Sequence, residues 1–127
     1  MNYEAILFDL DGTLVDSLAD LTDAMNFALG QLGQPEQTPA RCRPMIGYGL
    51  DHFIRCALPP GRGDLTEPLK TIMIRQYDAH CLDKSRPFPG FQTVLPALKR
   101  QGLALAVISN KNHAQTVKII THFFARD

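Results

Sequence analysis

Two short apolar runs stand out in the hydrophobic pattern of the chain. Residues 3–8 read YEAILF and residues 103–108 read LALAVI. The first run suits a buried strand, and the second, unbroken by polar residues, is typical of a parallel strand covered on both faces. Polar residues follow each run, DLDGT after the first and SNK after the second. The pattern therefore predicts two parallel strands whose carboxyl ends both lead into polar loops.

Helical periodicity fills the long stretch between the two runs. Apolar residues recur there at spacings of three and four in three places, which predicts three helices. Asp16 or Ser17 is expected to cap the first helix, and Gly33 to end it. A proline-rich segment at residues 59–61 ends the second, and the third begins near Thr66. The three apolar stripes are Leu18, Leu21, Met25, Ala28 and Leu32; Leu50, Phe53, Ile54 and Ala57; and Leu69, Ile72, Met73 and Tyr77.

Beyond a stiff segment at residues 85–90, the pattern predicts two more helices. The first runs from about residue 91 to 101, but Pro96 lies within it. An interior proline costs about 3 kcal/mol, so we expect this helix to start late or to kink. The last helix follows the second strand and carries Val117, Ile120 and Thr121 on one face. The succession of strand, helices and strand predicts an α/β fold built on a βαβ unit.

This order divides the chain into two predicted domains. Residues 1–14 and 86–127 supply both strands, and we call them the core segments. Residues 15–85, which we call the helical insert, interrupt them. In open α/β sheets, ligands bind beyond the carboxyl ends of the strands. We therefore expect Asp9, Asp11 and Ser109, which are far apart in the sequence, to meet at one edge of the sheet.

Composition and charge narrow the function classes. The chain has 13 basic and 13 acidic residues, a balance that gives no electrostatic reason to expect nucleic acid or a membrane surface as a partner. No apolar run is long enough to span a bilayer, and the N-terminus lacks a signal-peptide pattern. Cys42, Cys56 and Cys81 form no metal-ligand spacing, which favours reduced thiols. We therefore expect a cytoplasmic protein.

Two carboxylates, Asp9 and Asp11, follow the first strand two positions apart. Their mutual repulsion calls for a compensating cation, which argues against ordinary loop acids. An EF-hand calcium loop opens with a similar pair, but requires glycine at its sixth position and glutamate at its twelfth. Leu14 and Asp20 stand there, and a strand precedes the loop where a helix is needed. These mismatches exclude the EF-hand interpretation.

The segment FDLDGTLVDS at residues 8–17 closely resembles the first motif, DxDGT, of the haloacid dehalogenase superfamily. The resemblance implies a Rossmann-like core with a parallel sheet and an inserted all-helical cap. It implies that Asp9 is the nucleophile, which forms an aspartyl phosphate, and that Asp11 is the general acid and base. It also implies Mg²⁺, bound by a carboxylate oxygen of Asp9 and the backbone carbonyl of Asp11. A second acid favours phosphatase or phosphomutase over dehalogenase or P-type ATPase chemistry.

The segment VISNK at residues 107–111 resembles the second motif of the same superfamily. In that motif a hydroxyl at the strand end hydrogen-bonds a phosphoryl oxygen, and Ser109 would supply it. Taken alone, Ser109 is a turn or capping residue and Lys111 a solvent-facing lysine. The phosphate or substrate contacts implied by the two motifs are Gly12, Thr13, Ser109, Asn110 and Lys111.

Further segments resemble phosphoglycolate phosphatases, namely IGYGL at residues 46–50 and RPFPG at residues 86–90. The resemblance thus runs along nearly the whole chain. It implies Mg²⁺-dependent hydrolysis of small phosphate monoesters, with phosphoglycolate as the leading substrate. Beta-phosphoglucomutases and other sugar-phosphate phosphatases share this layout and stay open as alternatives.

Two later motifs of the superfamily, a lysine and a Gly-Asp pair, find no match in residues 112–127. Arg126 and Asp127 are not preceded by the strand that the second of these motifs requires. A catalytically incomplete fragment of a longer phosphatase, with weakened Mg²⁺ binding, is therefore one alternative to a working enzyme. A non-catalytic interaction module is another, because a two-stranded sheet leaves open edges that favour self-association.

Overall fold

The computed structural model describes residues 2–125, and it confirms the α/β order. Arg126 and Asp127 lie outside that range, and the residues described before them, His113–Phe124, form a helix and not a strand, as predicted. Within residues 2–125, six helices and four strands follow one another, with short 3-10 turns at Arg43–Met45 and Gly63–Leu65. The elements are β1 (Ala5–Phe8), β2 (Val15–Asp16), α1 (Leu18–Gln31), α2 (Pro39–Cys42), α3 (Leu50–Ala57), α4 (Thr66–His80), β3 (Arg86–Pro87), α5 (Phe91–Arg100), β4 (Ala104–Val107) and α6 (His113–Phe124).

The main sheet consists of β1 and β4, which pair in parallel as predicted. The register places Ala5 beside Ala104 and Phe8 beside Val107. Beyond the paired residues, the backbone N–H of Ile108 donates to the carbonyl of Phe8 at 2.8 Å. Because both strands run in the same direction and end in register, the loops that follow them leave the same edge of the sheet.

The prediction that the β4 strand is covered on both faces is wrong for the residues that the structure describes. Side chains alternate between the two faces of a sheet, and only one face packs against helices, with the Phe8 and Phe91 rings 6.0 Å apart. The opposite face is open, and Leu7 is 60% exposed there. Residues 2–125 supply no element that covers it. The exposed positions are Ala5, Leu7, Ala104 and Ala106.

Each of the three helices predicted for the helical insert is present. α1 and α4 lie against each other, and their predicted stripes point into a shared core. Gly33 follows α1 with a positive φ of 67°, as expected for a helix end. The short α2 was not predicted, although Thr38 caps it by accepting from the N–H of Arg41 at 3.2 Å. The largest fully buried apolar residues of the insert are Val15, Met25, Leu29, Cys42, Ile54, Leu69, Met73 and Cys81.

A second, antiparallel pair of strands forms where the chain passes between the core segments and the helical insert. β2 pairs with β3, with Val15 beside Pro87. Next to this pair, the buried carboxylate of Asp20 accepts hydrogen bonds from the N–H groups of Lys84 and Ser85 and from the Ser85 hydroxyl. These contacts fix the two chain crossings, the places at β2 and β3 where the chain passes between the core segments and the insert, relative to α1. The domain boundaries at residues 15 and 85 stay a prediction.

The last two helices differ from their predictions in detail. α5 begins at Phe91 with Pro96 inside it, so the expected late start is wrong. Because Pro96 has no N–H group, the carbonyl of Gln92 lacks its usual helical partner. Gln92 is exposed, so this carbonyl can bind water. On α6, Ile119 is buried whereas Val117 and Thr121 are exposed. The buried side of α6 is rotated from the predicted face because the helix also contacts α4, through a 2.7 Å hydrogen bond from Gln115 to Asp78.

Candidate active site

The loop after β1 turns tightly around one carbonyl group. The N–H groups of Thr13, Leu14 and Val15 all approach the carbonyl of Leu10 within 3.0–3.1 Å, while the Leu10 side chain is fully buried. Gly12 adopts a φ of 78° in this turn, a conformation that favours glycine. Because the Leu10 side chain points into the core, its neighbours Asp9 and Asp11 are left to line the cleft beyond the sheet.

Asp9 presents a carboxylate with one free oxygen. Its Oδ1 accepts from the N–H of Leu10 at 2.7 Å, which fixes the orientation of the side chain. Its Oδ2 accepts no hydrogen bond from residues 2–125, and the residue is exposed to the cleft. An oriented carboxylate with an unpartnered oxygen is suited to nucleophilic attack or to binding a cation.

Asp11 is held differently, because its Oδ1 has two partners. The Ser17 hydroxyl donates to this oxygen at 2.6 Å, and the Lys111 ammonium lies 3.3 Å from it. The Asp11 side chain is only 10% exposed. Oδ2 has no partner among the described residues, so one oxygen orients the carboxylate while the other is free to exchange a proton.

Ser17 has a role that the sequence analysis missed. It occupies the N-cap position of α1, as one of the two predicted alternatives, but its hydroxyl makes no capping bond. It donates to Asp11 instead and is 2% exposed. The prediction that the Ser17 side chain caps the helix is therefore wrong, because its hydroxyl contacts Asp11 of the acid pair. A weaker approach of 3.4 Å links Asp16 to the N–H of Leu18.

The loop after β4 brings Ser109 and Lys111 to the same cleft as the acid pair. The Ser109 hydroxyl oxygen accepts from the N–H of Lys111 at 3.1 Å. This bond leaves the hydroxyl proton available to donate to a ligand. The structure thus brings Asp9, Asp11 and Ser109 together from two strands, as the parallel topology predicted.

The alternative of a solvent-facing Lys111 is wrong, because the side chain is 5% exposed. Its Nζ donates to the Tyr77 hydroxyl at 2.7 Å and lies 4.2 Å from the centre of the Tyr77 ring. Burial lowers the pKa of Lys111, and the negative charge of Asp11 opposes that shift. Burial, aided by the same charge, raises the pKa of Tyr77, so the phenol stays protonated beside the ammonium group.

Three of the predicted phosphate contacts have other partners or lie aside from the cleft. The Asn110 side chain borders the cleft but donates to the carbonyl of Gly47 in the helical insert at 2.7 Å. Gly12 and Thr13 are exposed in the turn and do not line the cleft. Their expected contact with phosphate stays a prediction.

The cleft has a polar side and an apolar side. The core segments contribute the acid pair, Ser109 and Lys111, and Lys111 is the only cationic side chain that lines the cleft among residues 2–125. The helical insert contributes an apolar wall opposite them. This arrangement fits a small ligand with one charged end. The apolar wall consists of Leu21, Ile46, Leu50, Phe53, Met73 and Ile74.

The donor set suits a hard divalent cation. Besides the free oxygen of Asp9, the backbone carbonyl of Asp11 accepts no hydrogen bond from the described residues. Mg²⁺ prefers oxygen ligands, and it commonly takes one or two carboxylates, keeping several waters. Within residues 2–125, no three acidic, histidine or cysteine side chains converge into a complete metal cage. The two oxygens therefore fit part of a Mg²⁺ shell.

The geometry agrees with a known family. Residues 6–127 match the family model described as haloacid dehalogenase-like hydrolase. The chain belongs to this family. The resemblance drawn from residues 8–17 is therefore confirmed. The fold is also that of a putative haloacid dehalogenase-like hydrolase from Bacteroides fragilis, which superposes with a TM-score of 0.88 at 23% identity, over 99% of this chain and 60% of that one.

Individual relatives of the chain share one recurring name. The chain is 33% identical over 129 residues to a phosphoglycolate phosphatase of Chromobacterium violaceum, covering 98% of this chain and 58% of the relative. It is 34% identical over 128 residues to one of Agrobacterium fabrum, covering 94% of this chain and 55% of the relative. The crystal structure of a predicted phosphoglycolate phosphatase from Haemophilus somnus superposes with a TM-score of 0.89 at 32% identity, over 96% of this chain and 58% of that one.

The chain thus spans little more than half the length of these relatives. The activity, substrate and partners of a whole protein are accordingly matters for proposal. None of the helices described for residues 2–125 has the length and apolarity to cross a membrane.

Proposed function

We propose that this chain carries the nucleophile and the acid/base group of a Mg²⁺-dependent phosphatase acting on small phosphate monoesters. The observation that carries this proposal is the unequal treatment of two neighbouring carboxylates. Asp9 has a free, cleft-facing oxygen, whereas Asp11 is oriented through Oδ1 by Ser17 and Lys111. Environments that differ in this way favour different chemical roles for two similar groups.

The proposed reaction uses each group once in each half. An oxygen of Asp9 attacks phosphorus, the bond from phosphorus to the ester oxygen breaks, and Asp11 gives its proton to the departing alcohol. Water then attacks the phosphorus of the aspartyl phosphate while Asp11 takes a proton from that water, and the bond between phosphorus and the Asp9 oxygen breaks. Inorganic phosphate leaves, and the Asp9 carboxylate is restored.

The remaining residues would bind the phosphoryl group and neutralise its charge. The Ser109 hydroxyl would donate to a phosphoryl oxygen, and Lys111 would balance the negative charge that phosphate adds to the acid pair. Asp9 and the carbonyl of Asp11 would hold Mg²⁺, which supplies charge neutralisation at the phosphoryl group when bound. Gly12, Thr13 and Asn110 are proposed as further phosphate contacts on the strength of the motif alone.

Phosphoglycolate is the substrate we favour. The named relatives support it, and so does the apolar wall of the cleft, which offers few hydrogen-bond partners for the hydroxyl groups of a sugar. The thiols of Cys42 and Cys81, which are buried and form no disulfide, agree with a cytoplasmic setting. So does the balance of 13 basic and 13 acidic residues.

The test is phosphate release from phosphoglycolate with Mg²⁺, measured for the chain and for Asp9→Asn. We expect the substitution to abolish release, because the amide cannot form the aspartyl phosphate. Asp23→Asn is the matched control, since Asp23 is exposed and pairs with Lys84 outside the cleft. Equal activity of the chain and Asp9→Asn would refute the proposal, and unchanged release without Mg²⁺ would refute its metal dependence.

A second candidate is an interaction module that self-associates through its sheet. The open face with Leu7 at 60% exposure, and Ile108 at 62% just beyond β4, favour it, because an exposed apolar patch can bury itself against a second molecule. Sizing chromatography should then show a larger species that Leu7→Glu converts to monomer, while Val94→Glu on α5 leaves it intact. A monomer at every concentration would exclude this candidate.

A further inference from the structure

Tyr77 is the residue of α4 through which the helical insert reaches the charged part of the cleft, which Ser17 contacts from the start of the insert. It lies in the last turns of α4 and is 2% exposed. Its hydroxyl receives a 2.7 Å hydrogen bond from Lys111, which belongs to the loop after β4. The helical spacing predicted Tyr77 only as a member of an apolar stripe, and the stripe gives no reason for a hydroxyl at that position.

The contacts form a chain from the insert to the acid pair. Tyr77 contacts the Lys111 ammonium with both its hydroxyl and its ring face, at 4.2 Å from the ring centre. The same ammonium lies 3.3 Å from Oδ1 of Asp11, and that oxygen also accepts from Ser17. Ser17 closely follows Asp11 in the chain, whereas Tyr77 belongs to α4 and approaches Lys111 from the other side of the cleft.

A buried lysine side chain needs fixed partners if its ammonium is to stay at one place. Lysine has four rotatable bonds and a compact charge, so its position depends on what surrounds the end of the side chain. A phenol oxygen and an aromatic face satisfy different sides of an ammonium group. Together they fix Lys111 where its charge reaches Asp11 rather than solvent.

We propose that Tyr77 is a positioning residue, which holds the Lys111 ammonium against Oδ1 of Asp11 and so couples the helical insert to the acid/base carboxylate. This inference rests on the proposed function for the role of Asp11, but not for the contact itself. Substrate does not need to touch Tyr77 for the residue to matter. Its effect passes through Lys111.

Two substitutions separate the hydroxyl from the ring. Tyr77→Phe keeps the ring face and removes the hydrogen bond, while Tyr77→Leu removes both. Tyr48→Phe is the matched control, because Tyr48 lies in the same insert, is 69% exposed and does not line the cleft.

The first measurement concerns the contact and needs no activity. In a chain labelled with ¹⁵N-lysine and measured by NMR, the ammonium protons of Lys111 should exchange slowly with water. The signal of Lys111 is identified as the one that disappears in Lys111→Arg. Tyr77→Phe should speed the exchange roughly tenfold, as expected for losing a hydrogen bond to a charged group, and Tyr77→Leu more so. Unchanged exchange in Tyr77→Phe, with a circular dichroism spectrum like that of the parent chain, would overturn the proposal.

The second measurement concerns the role in the reaction. Tyr77→Phe should lower kcat for phosphoglycolate roughly tenfold with little change in KM, because it disturbs the acid/base group rather than substrate binding. A raised KM with unchanged kcat would overturn the positioning role in favour of direct substrate contact. If the parent chain releases no phosphate, the proposed function fails, while the exchange measurement still decides whether Tyr77 positions Lys111.

Discussion

The helical insert and the core segments are packed to very different degrees. Among the largest fully buried side chains of the described residues, only Leu10 and Ile119 belong to the core segments, and the others lie in the insert. Large exposed apolar side chains of the described residues show the opposite trend, since only Phe27 and Tyr48 lie in the insert. The core segments carry the others, namely Tyr3, Leu7, Val94, Ile108 and Val117. The insert therefore has a closed hydrophobic core, whereas the sheet has one covered face and one open face.

Yet the residues proposed for catalysis lie in the less well packed region. Asp9, Asp11, Ser109 and Lys111 all belong to the core segments, on loops beyond the open sheet. Their geometry depends on the insert, because Ser17 and Tyr77 supply the hydrogen bonds that orient Asp11 and Lys111. A well-packed region can therefore order reactive groups carried by a neighbour with little core of its own.

The largest expected effect tests the difference in packing directly. Met25→Ala on α1 removes a fully buried side chain and should lower the free energy of unfolding by about 2–5 kcal/mol, the usual cost of a large cavity. Leu7→Ala on the open face should change it by less than about 0.5 kcal/mol. Urea denaturation followed by circular dichroism measures both.

An equal loss of stability in the two variants would contradict the difference in packing between α1 and the open face of the sheet. It would mean that the Leu7 face is covered in solution, as self-association through the sheet predicts. Running the same denaturation at several protein concentrations distinguishes that case, because stability gained by association rises with concentration.

Much of the fold was predictable because each element repeats a local pattern. The stripe of α4 predicted a helix with Leu69, Met73 and Tyr77 on one side, and all three are buried. The two apolar runs predicted parallel strands, and the pairing of β1 with β4 followed. The covering of the β4 strand was not predictable, because an apolar run shows what a strand can bury but not whether a neighbour is present to bury it.

The site was predictable to the level of its loops but not of its contacts. The acid pair and Ser109 follow strands, so topology alone predicts their meeting in the cleft. The partners of Asp11 required knowledge of three-dimensional packing. Ser17 has the sequence position of a helix cap, and Tyr77 has that of a core residue, so local patterns assign both to ordinary structural roles. Their burial beside charged groups is what separates them from those roles.

A smaller effect is expected where the two regions join. Asp20 is 4% exposed and accepts hydrogen bonds from the N–H of Lys84, the N–H of Ser85 and the Ser85 hydroxyl. Asp20→Asn replaces one acceptor oxygen with an NH₂ group that faces those donors. The loss of hydrogen bonds to a charged group should lower the free energy of unfolding by about 1.5–3 kcal/mol.

The neighbouring exposed acid provides the control for this junction. Asp23 contacts the Lys84 ammonium at 2.6 Å, but both side chains are more than half exposed, so Asp23→Asn should have little measurable effect. Amide hydrogen exchange adds a local measurement, because the N–H groups of Lys84 and Ser85 should exchange faster in Asp20→Asn only. Equal effects of the two substitutions would show that the buried carboxylate does not fix the crossings. The insert would then have to orient Asp11 and Lys111 through Ser17 and Tyr77 alone, without a rigid junction beneath it.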